Sequence, residues 1–158
     1  MRHSHAVKTS ALATAGSCPM CGIPLDSEYF DESGVVAAPK VGEAIVVARF
    51  ELPPQYCGVL EYFSQFTDEQ AGNAAKIRTP GLVWMLLTNN RPLYPYLNFD
   101  RIVNPWGYGS FQVSIRLDDS TTVEFTVRRT NNDAPDIKEV GGRIVGRYWY
   151  NSAYGDGV

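Results

Sequence analysis

The stretch Ser110–Arg129, SFQVSIRLDDSTTVEFTVRR, decides how the chain is read. Phe111, Val113, Ile115 and Leu117 fall on one face of an extended segment, and Gln112, Ser114 and Arg116 fall on the other. Successive side chains of a strand point to opposite sides of its sheet, so this alternation marks a half-buried strand. Asp118–Asp119–Ser120 interrupts the run with turn-forming residues. Val123, Phe125 and Val127 then return on one face, with Thr122, Glu124 and Thr126 opposite. Folding about Ser120 sets Ile115 against Phe125 and Arg116 against Glu124, so the segment reads as an antiparallel hairpin.

The segments around it have the same character. EAIVVARFEL (43–52) is apolar and β-branched and stops at Pro53–Pro54. YCGVLEYFSQF (56–66) is rich in aromatics, and GRIVGRYWYN (142–151) reads as the last strand. GLVWMLLTNNRPLYPYL (81–97) opens as a continuous apolar run and meets Asn89–Asn90, a pair that tolerates the positive φ of a tight hairpin turn. Thr67 and Gln70 in TDEQAGNAAKIR (67–78) have capping-box spacing, which points to one short helix. Some six to eight strands with short turns predict an all-β protein, an antiparallel β-sandwich of jelly-roll-like type.

Residues 1–40 differ. They are rich in Ala, Ser, Gly and Pro and hold no sustained period, so they read as an irregular N-terminal arm, with residues 41–158 as the sandwich domain. MRHSHAVKTSALATAG (1–16) has a basic start, but Lys8 and Ser10 interrupt the apolar core that a signal peptide requires. The chain has 158 residues, enough for one domain with a substantial core. Its formal net charge of −3 argues against a nucleic-acid partner. No apolar run approaches the ~18 residues of a membrane helix.

Few residues carry chemistry. SCPMCG places Cys18 and Cys21 in a CPxCG knuckle, a feature of small zinc sites. Zinc needs four ligands, and the remaining soft donors are Cys57, His3 and His5. Cys57 lies in QYCGVL, where a small buried residue at the start of a strand is the ordinary reading. With three cysteines in all, a disulfide framework is not expected, and reduced thiols are the default. His3 and His5 are the only histidines, so a nucleophile–histidine constellation would have to recruit them from the arm. The carboxylate pairs Asp68–Glu69 and Asp118–Asp119 are explained by a helix start and a turn. No phosphate-binding glycine loop is present. No enzymatic activity and no cofactor other than zinc is therefore expected.

The aromatic residues say more. PLYPYLNFDRIVNPWGYGSF (92–111) gathers Tyr94, Tyr96, Phe99, Trp106 and Tyr108 among loop-forming prolines and glycines. Such a loop plugs the end of a sandwich, meets a partner chain or stacks on sugar rings. The last option makes the chain a carbohydrate-binding module. A zinc-stabilised interaction domain is the other alternative.

Taken in order, FELPPQYCGVLEYFSQF, LVWMLLTNNRPLYPYLNFD, GSFQVSIRLDDSTTVEFTVRR and GRIVGRYWY resemble small β-sandwich virion accessory proteins of tailed bacteriophages. The resemblance covers about residues 45–150 and is one of architecture. It implies a non-enzymatic capsid decoration, cement or head–tail accessory subunit. It further implies virion proteins such as the major capsid protein as partners, a homo-oligomer (a trimer by analogy with capsid jelly rolls), and a location in the virion after assembly in the host cytoplasm. The CPMCG arm is not part of the pattern.

Overall fold

The computed structural model describes residues 22–68, 81–93, 110–133 and 135–151. Eight strands run through them: β1 (Glu28–Ala37), β2 (Ala44–Glu51), β3 (Tyr56–Thr67), β4 (Leu82–Thr88), β5 (Arg91–Pro92), β6 (Ser110–Leu117), β7 (Thr122–Arg129) and β8 (Glu139–Tyr150). They form two four-stranded sheets of order β1-β8-β3-β6 and β2-β7-β4-β5. Every strand pairing is antiparallel. Consecutive strands cross from one sheet to the other except at β4–β5. This is the wiring of an eight-stranded jelly roll, so the all-β sandwich expected from the alternation is the fold.

The core lies between the sheets. Leu60 and Phe63 enter it from β3, Leu117 from β6 and Ile144 from β8; Trp84 and Leu86 on β4 and Val123, Phe125 and Val127 on β7 face them. Phe63 stacks on Phe111 at 4.8 Å between ring centroids and lies 5.7 Å from Phe125, which in turn lies 5.4 Å from Trp84. Burying side chains of this size stabilises by about 1.5–3 kcal/mol each. Gly142 is what allows Phe125 to sit so deep. A Cβ on Gly142 would stand 2.6 Å from both Phe125 Cδ1 and Val47 Cγ2.

Two sequence expectations are corrected. The alternation over 110–129 is right, but β6 and β7 are not a hairpin. Ile115 pairs with Leu60 and Arg116 with Val59, whereas Phe125 pairs with Ala48 and Leu86, and Glu124 with Arg49 and Leu87. The two apolar faces meet across the core rather than side by side in one sheet. Asp118–Thr121 is still a turn, closed by Thr121 N–H donating to the Asp118 carbonyl at 3.1 Å, but it carries the chain between sheets.

The second correction concerns the arm. Residues 28–37 are β1, paired with β8 in unbroken register from Glu28 opposite Tyr148 to Ala37 opposite Glu139. The sandwich therefore begins well before Val41. Only Phe30 of β1 is buried outright, which is why the strand shows no alternation. Thr67, expected to cap a helix, is the last residue of β3, and residues 69–78 of that segment lie outside the described residues. The Asn89–Asn90 turn is as read: φ is 50° and 62°, and Thr88 pairs with Arg91.

One end of the sandwich is tied by hydrogen bonds between connections. Gln55 N–H, after Pro53–Pro54, donates to Asp119 Oδ1 at 2.6 Å, and Leu52 N–H donates to the Thr121 carbonyl at 2.9 Å. Asn89 N–H donates to the Thr122 carbonyl at 2.9 Å, and Thr122 N–H returns a bond to Asn89 Oδ1 at 2.8 Å.

Candidate functional site

Because side chains alternate, each strand of the β1-β8-β3-β6 sheet sends half of its residues to the outer face. On β3, Gly58 and Leu60 point inward, so Cys57 and Val59 point outward. On β6, Ser114 and Arg116 point outward, and on β8 Trp149 does. Cys57 and Trp149 are directly opposite in the ladder. Together with Gly22, Ile23 and Asn151 they line a groove of about 390 Å³. The half-buried Trp149 offers an apolar wall, and Ser114, Arg116 and Asn151 offer donors and acceptors. The Arg116 guanidinium is held by Asp118 at 2.9 Å, with both groups exposed.

A ladder of cross-strand pairs leads away from this groove. Arg147 on β8 binds Glu61 on β3 through both carboxylate oxygens, at 2.7 and 3.1 Å. Its guanidinium carbon also lies 5.3 Å from the centroid of the Tyr29 ring on β1. Glu61 is free to meet Arg147 because it is the extra residue of a bulge, skipped between Leu60 and Tyr62 in both ladders of β3. Further along, Arg143 grips Asp31 of β1 with two bonds of 2.5 and 2.7 Å. Hydrogen bonding from Arg143 is the main reason the Asp31 carboxyl lies below its ordinary range. A second hollow of about 340 Å³ lies beyond this pair, lined by Ser33, Val35, Ser64, Phe66 and Gly141 among others.

Cys57 is the one sequence-selected site residue among the described residues. It is half-buried and carries a free thiol. Burial pushes its pKa up, against a smaller opposing effect of Arg116, so it is not an activated nucleophile. Among the described residues, no group of three His, Cys, Asp or Glu side chains could hold a metal ion. His3, His5, Cys18 and Cys21 lie outside the described residues, as do Tyr94, Tyr96, Phe99, Trp106 and Tyr108. Gly22, which follows Cys21, has φ +70° and stands at the same groove as Cys57.

Trp149, Ser114 and Arg116 were not singled out by sequence. Each is visible as the outward phase of an alternating strand, but only the register brings residues 57, 114 and 149 together. The groove can stack and hydrogen-bond a ligand. No protein-family model matches the chain, and no curated protein or solved structure is significantly similar to it.

Proposed function

We propose that the chain is a non-enzymatic structural subunit of a tailed-phage particle, a capsid decoration or cement protein or a head–tail accessory subunit. The observation that carries this reading is the strand order β1-β8-β3-β6 with β2-β7-β4-β5, the jelly-roll wiring that viral capsid domains share. A rigid two-layer body with exposed strand edges suits lateral contact with neighbouring virion proteins such as the major capsid protein. The residues before β1 and the aromatic-rich segment from Tyr94 to Tyr108 are the ones this reading assigns to those contacts. The test is composition. Particles purified from a lysate of the encoding phage are expected to contain the chain in fixed ratio to the major capsid protein. Purified chain is expected to rebind particles that lack it. A chain confined to the soluble fraction overturns the reading, because fold alone does not fix function.

The groove favours a second reading. Lectin domains also use jelly rolls, and a half-buried Trp149 beside Ser114, Arg116 and Asn151 combines a stacking surface with polar groups, as sugar recognition requires. A glycan array decides it: binding lost in Trp149→Ala supports a carbohydrate module, and no binding by the parent chain removes it.

A further inference from the structure

Each sheet of an open sandwich ends in two strands with unpaired backbone groups, and proteins normally protect such edges with short strands, bulges, prolines or charges. Among the described residues, three of the four edges are protected. β5 is two residues long and ends in Pro92. β2 carries a bulge between Val46 and Ala48 and exposes Arg49 and Glu51. β6 pairs irregularly with β3 and displays Arg116.

β1 is different. It runs ten residues without a bulge, a proline, a lysine or an arginine. Like Arg49 and Arg116 on the other edges, two of its three carboxylates are engaged within the chain, Glu28 by the Tyr148 hydroxyl at 2.6 Å and Asp31 by Arg143. The third, Glu32, is exposed, so what sets β1 apart is its length and regularity. Val35 and Val36 are 59% and 39% exposed near its end. A long, regular edge with exposed apolar residues is a template for another strand.

We infer that this edge pairs with β1 of a second copy of the chain, antiparallel about a two-fold axis at Ser33, joining two four-stranded sheets into one. A strand whose only charges are carboxylates pairs with its own copy only in a register that keeps them apart, and β1 has such a register. Residues directly opposite in a sheet point to the same face, so the pairing must join odd positions with odd and even with even. A two-fold axis at Glu32 or Asp31 would set like carboxylates face to face. With the axis at Ser33, Tyr29 faces Ala37, Asp31 faces Val35 and Glu32 faces Gly34. This register pairs Tyr29 through Ala37 without opposing like charges. An axis at Gly34 also avoids that opposition but pairs only Asp31 through Ala37. The interface is isologous, as a two-fold requires, and its small size makes it concentration-dependent.

Sedimentation of the full chain is the first measurement. The expected result is a reversible shift from 17.5 kDa towards twice that mass as concentration rises. Oxidative crosslinking then reads the register. Opposite residues of an antiparallel pair have Cα atoms about 4.5–5.5 Å apart, within disulfide range. Ser33→Cys, with the three native cysteines changed to serine, is expected to give a covalent dimer, and Val35→Cys in the same background is not. A charge swap needs no crosslink. Val35→Asp places a carboxylate opposite Asp31 of the second copy twice per dimer, and Val35→Lys places an ammonium there. Dimerisation of Val35→Asp is expected to be at least about tenfold weaker than that of Val35→Lys. Both positions are exposed, and thermal unfolding of each variant confirms that the fold is intact. A monomer at every concentration overturns the inference, as when the edge is filled by another segment of the same chain. So does a dimer that Ser33→Cys does not crosslink, or equal affinities in the charge swap.

Discussion

At the scale of single residues, the sandwich depends on positions where a side chain is missing as much as on those where one is buried. Gly142 stands where β8 passes the Phe125 ring, and a methyl group there would need both the ring and Val47 to move. Gly142→Ala is therefore expected to destabilise the fold by about 1–3 kcal/mol, the usual cost of overpacking, read as a lower urea midpoint at unchanged slope. Asp31 makes a different prediction. Its carboxyl is held below the ordinary range by Arg143, so its contribution to stability is fully present above the unfolded pKa of about 3.9. The contribution is lost as pH falls through the lower folded value. Both side chains are about half exposed, so solvent screens the pair and the effect is small. The urea midpoint of Asp31→Asn is expected to lie below that of the parent chain at neutral pH. The two midpoints converge in acid below the carboxylate range. A gap that persists there would assign the loss to packing rather than to charge.

At the scale of elements, the sequence's period-two pattern identified strands but not their partners. Alternation says which side chains share a face, and it says nothing about which strand lies alongside. In 110–129 a hairpin and a crossing between sheets satisfy the same pattern, since both turn Ile115 and Phe125 towards the core. The jelly roll takes the crossing, and the ties from Gln55 and Leu52 to the 118–121 turn hold it there. β1 was illegible for another reason: an edge strand that buries only Phe30 has no apolar period to detect. The groove was illegible because Cys57, Ser114 and Trp149 meet only through the register of three strands. The turn at Asn89–Asn90, by contrast, was legible from composition, because both residues must take positive φ. The two asparagines have separable roles. Asn89→Ala removes the acceptor for Thr122 N–H and forces alanine into a left-handed conformation, and is expected to cost about 1–2 kcal/mol. Asn90→Gly keeps that bond and relieves the backbone, so its melting temperature is expected to equal or exceed that of the parent chain. Equal losses in the two variants would show that the Asn89–Thr122 bond contributes nothing beyond turn geometry.

At the scale of the whole molecule, β8 is the strand on which one sheet is built, with β1 on one side and β3 on the other. Its outward arginines reach both ways, Arg143 to Asp31 of β1 and Arg147 to Glu61 of β3 and the Tyr29 ring. On the inner face, Phe30 of β1 stacks on Phe50 of the other sheet at 3.9 Å between centroids, so β1 also helps to join the two layers. A chain beginning at Val41, where composition places the domain boundary, would lose that ring, the full length of the β1–β8 ladder, the Asp31 partner of Arg143 and the Tyr29 ring beside Arg147, keeping only the Arg147–Glu61 pair. Removing a buried Phe side chain alone costs about 3–5 kcal/mol, against a total stability of about 5–15 kcal/mol for a domain. The truncated chain 41–158 is therefore expected to lack a cooperative unfolding transition and to give a poorly dispersed amide spectrum. The chain 22–158, which keeps β1, is expected to unfold cooperatively with dispersed amides. Cooperative unfolding of 41–158 would instead make β1 an appendage laid on a body complete without it, with β8 able to serve as an edge in its place.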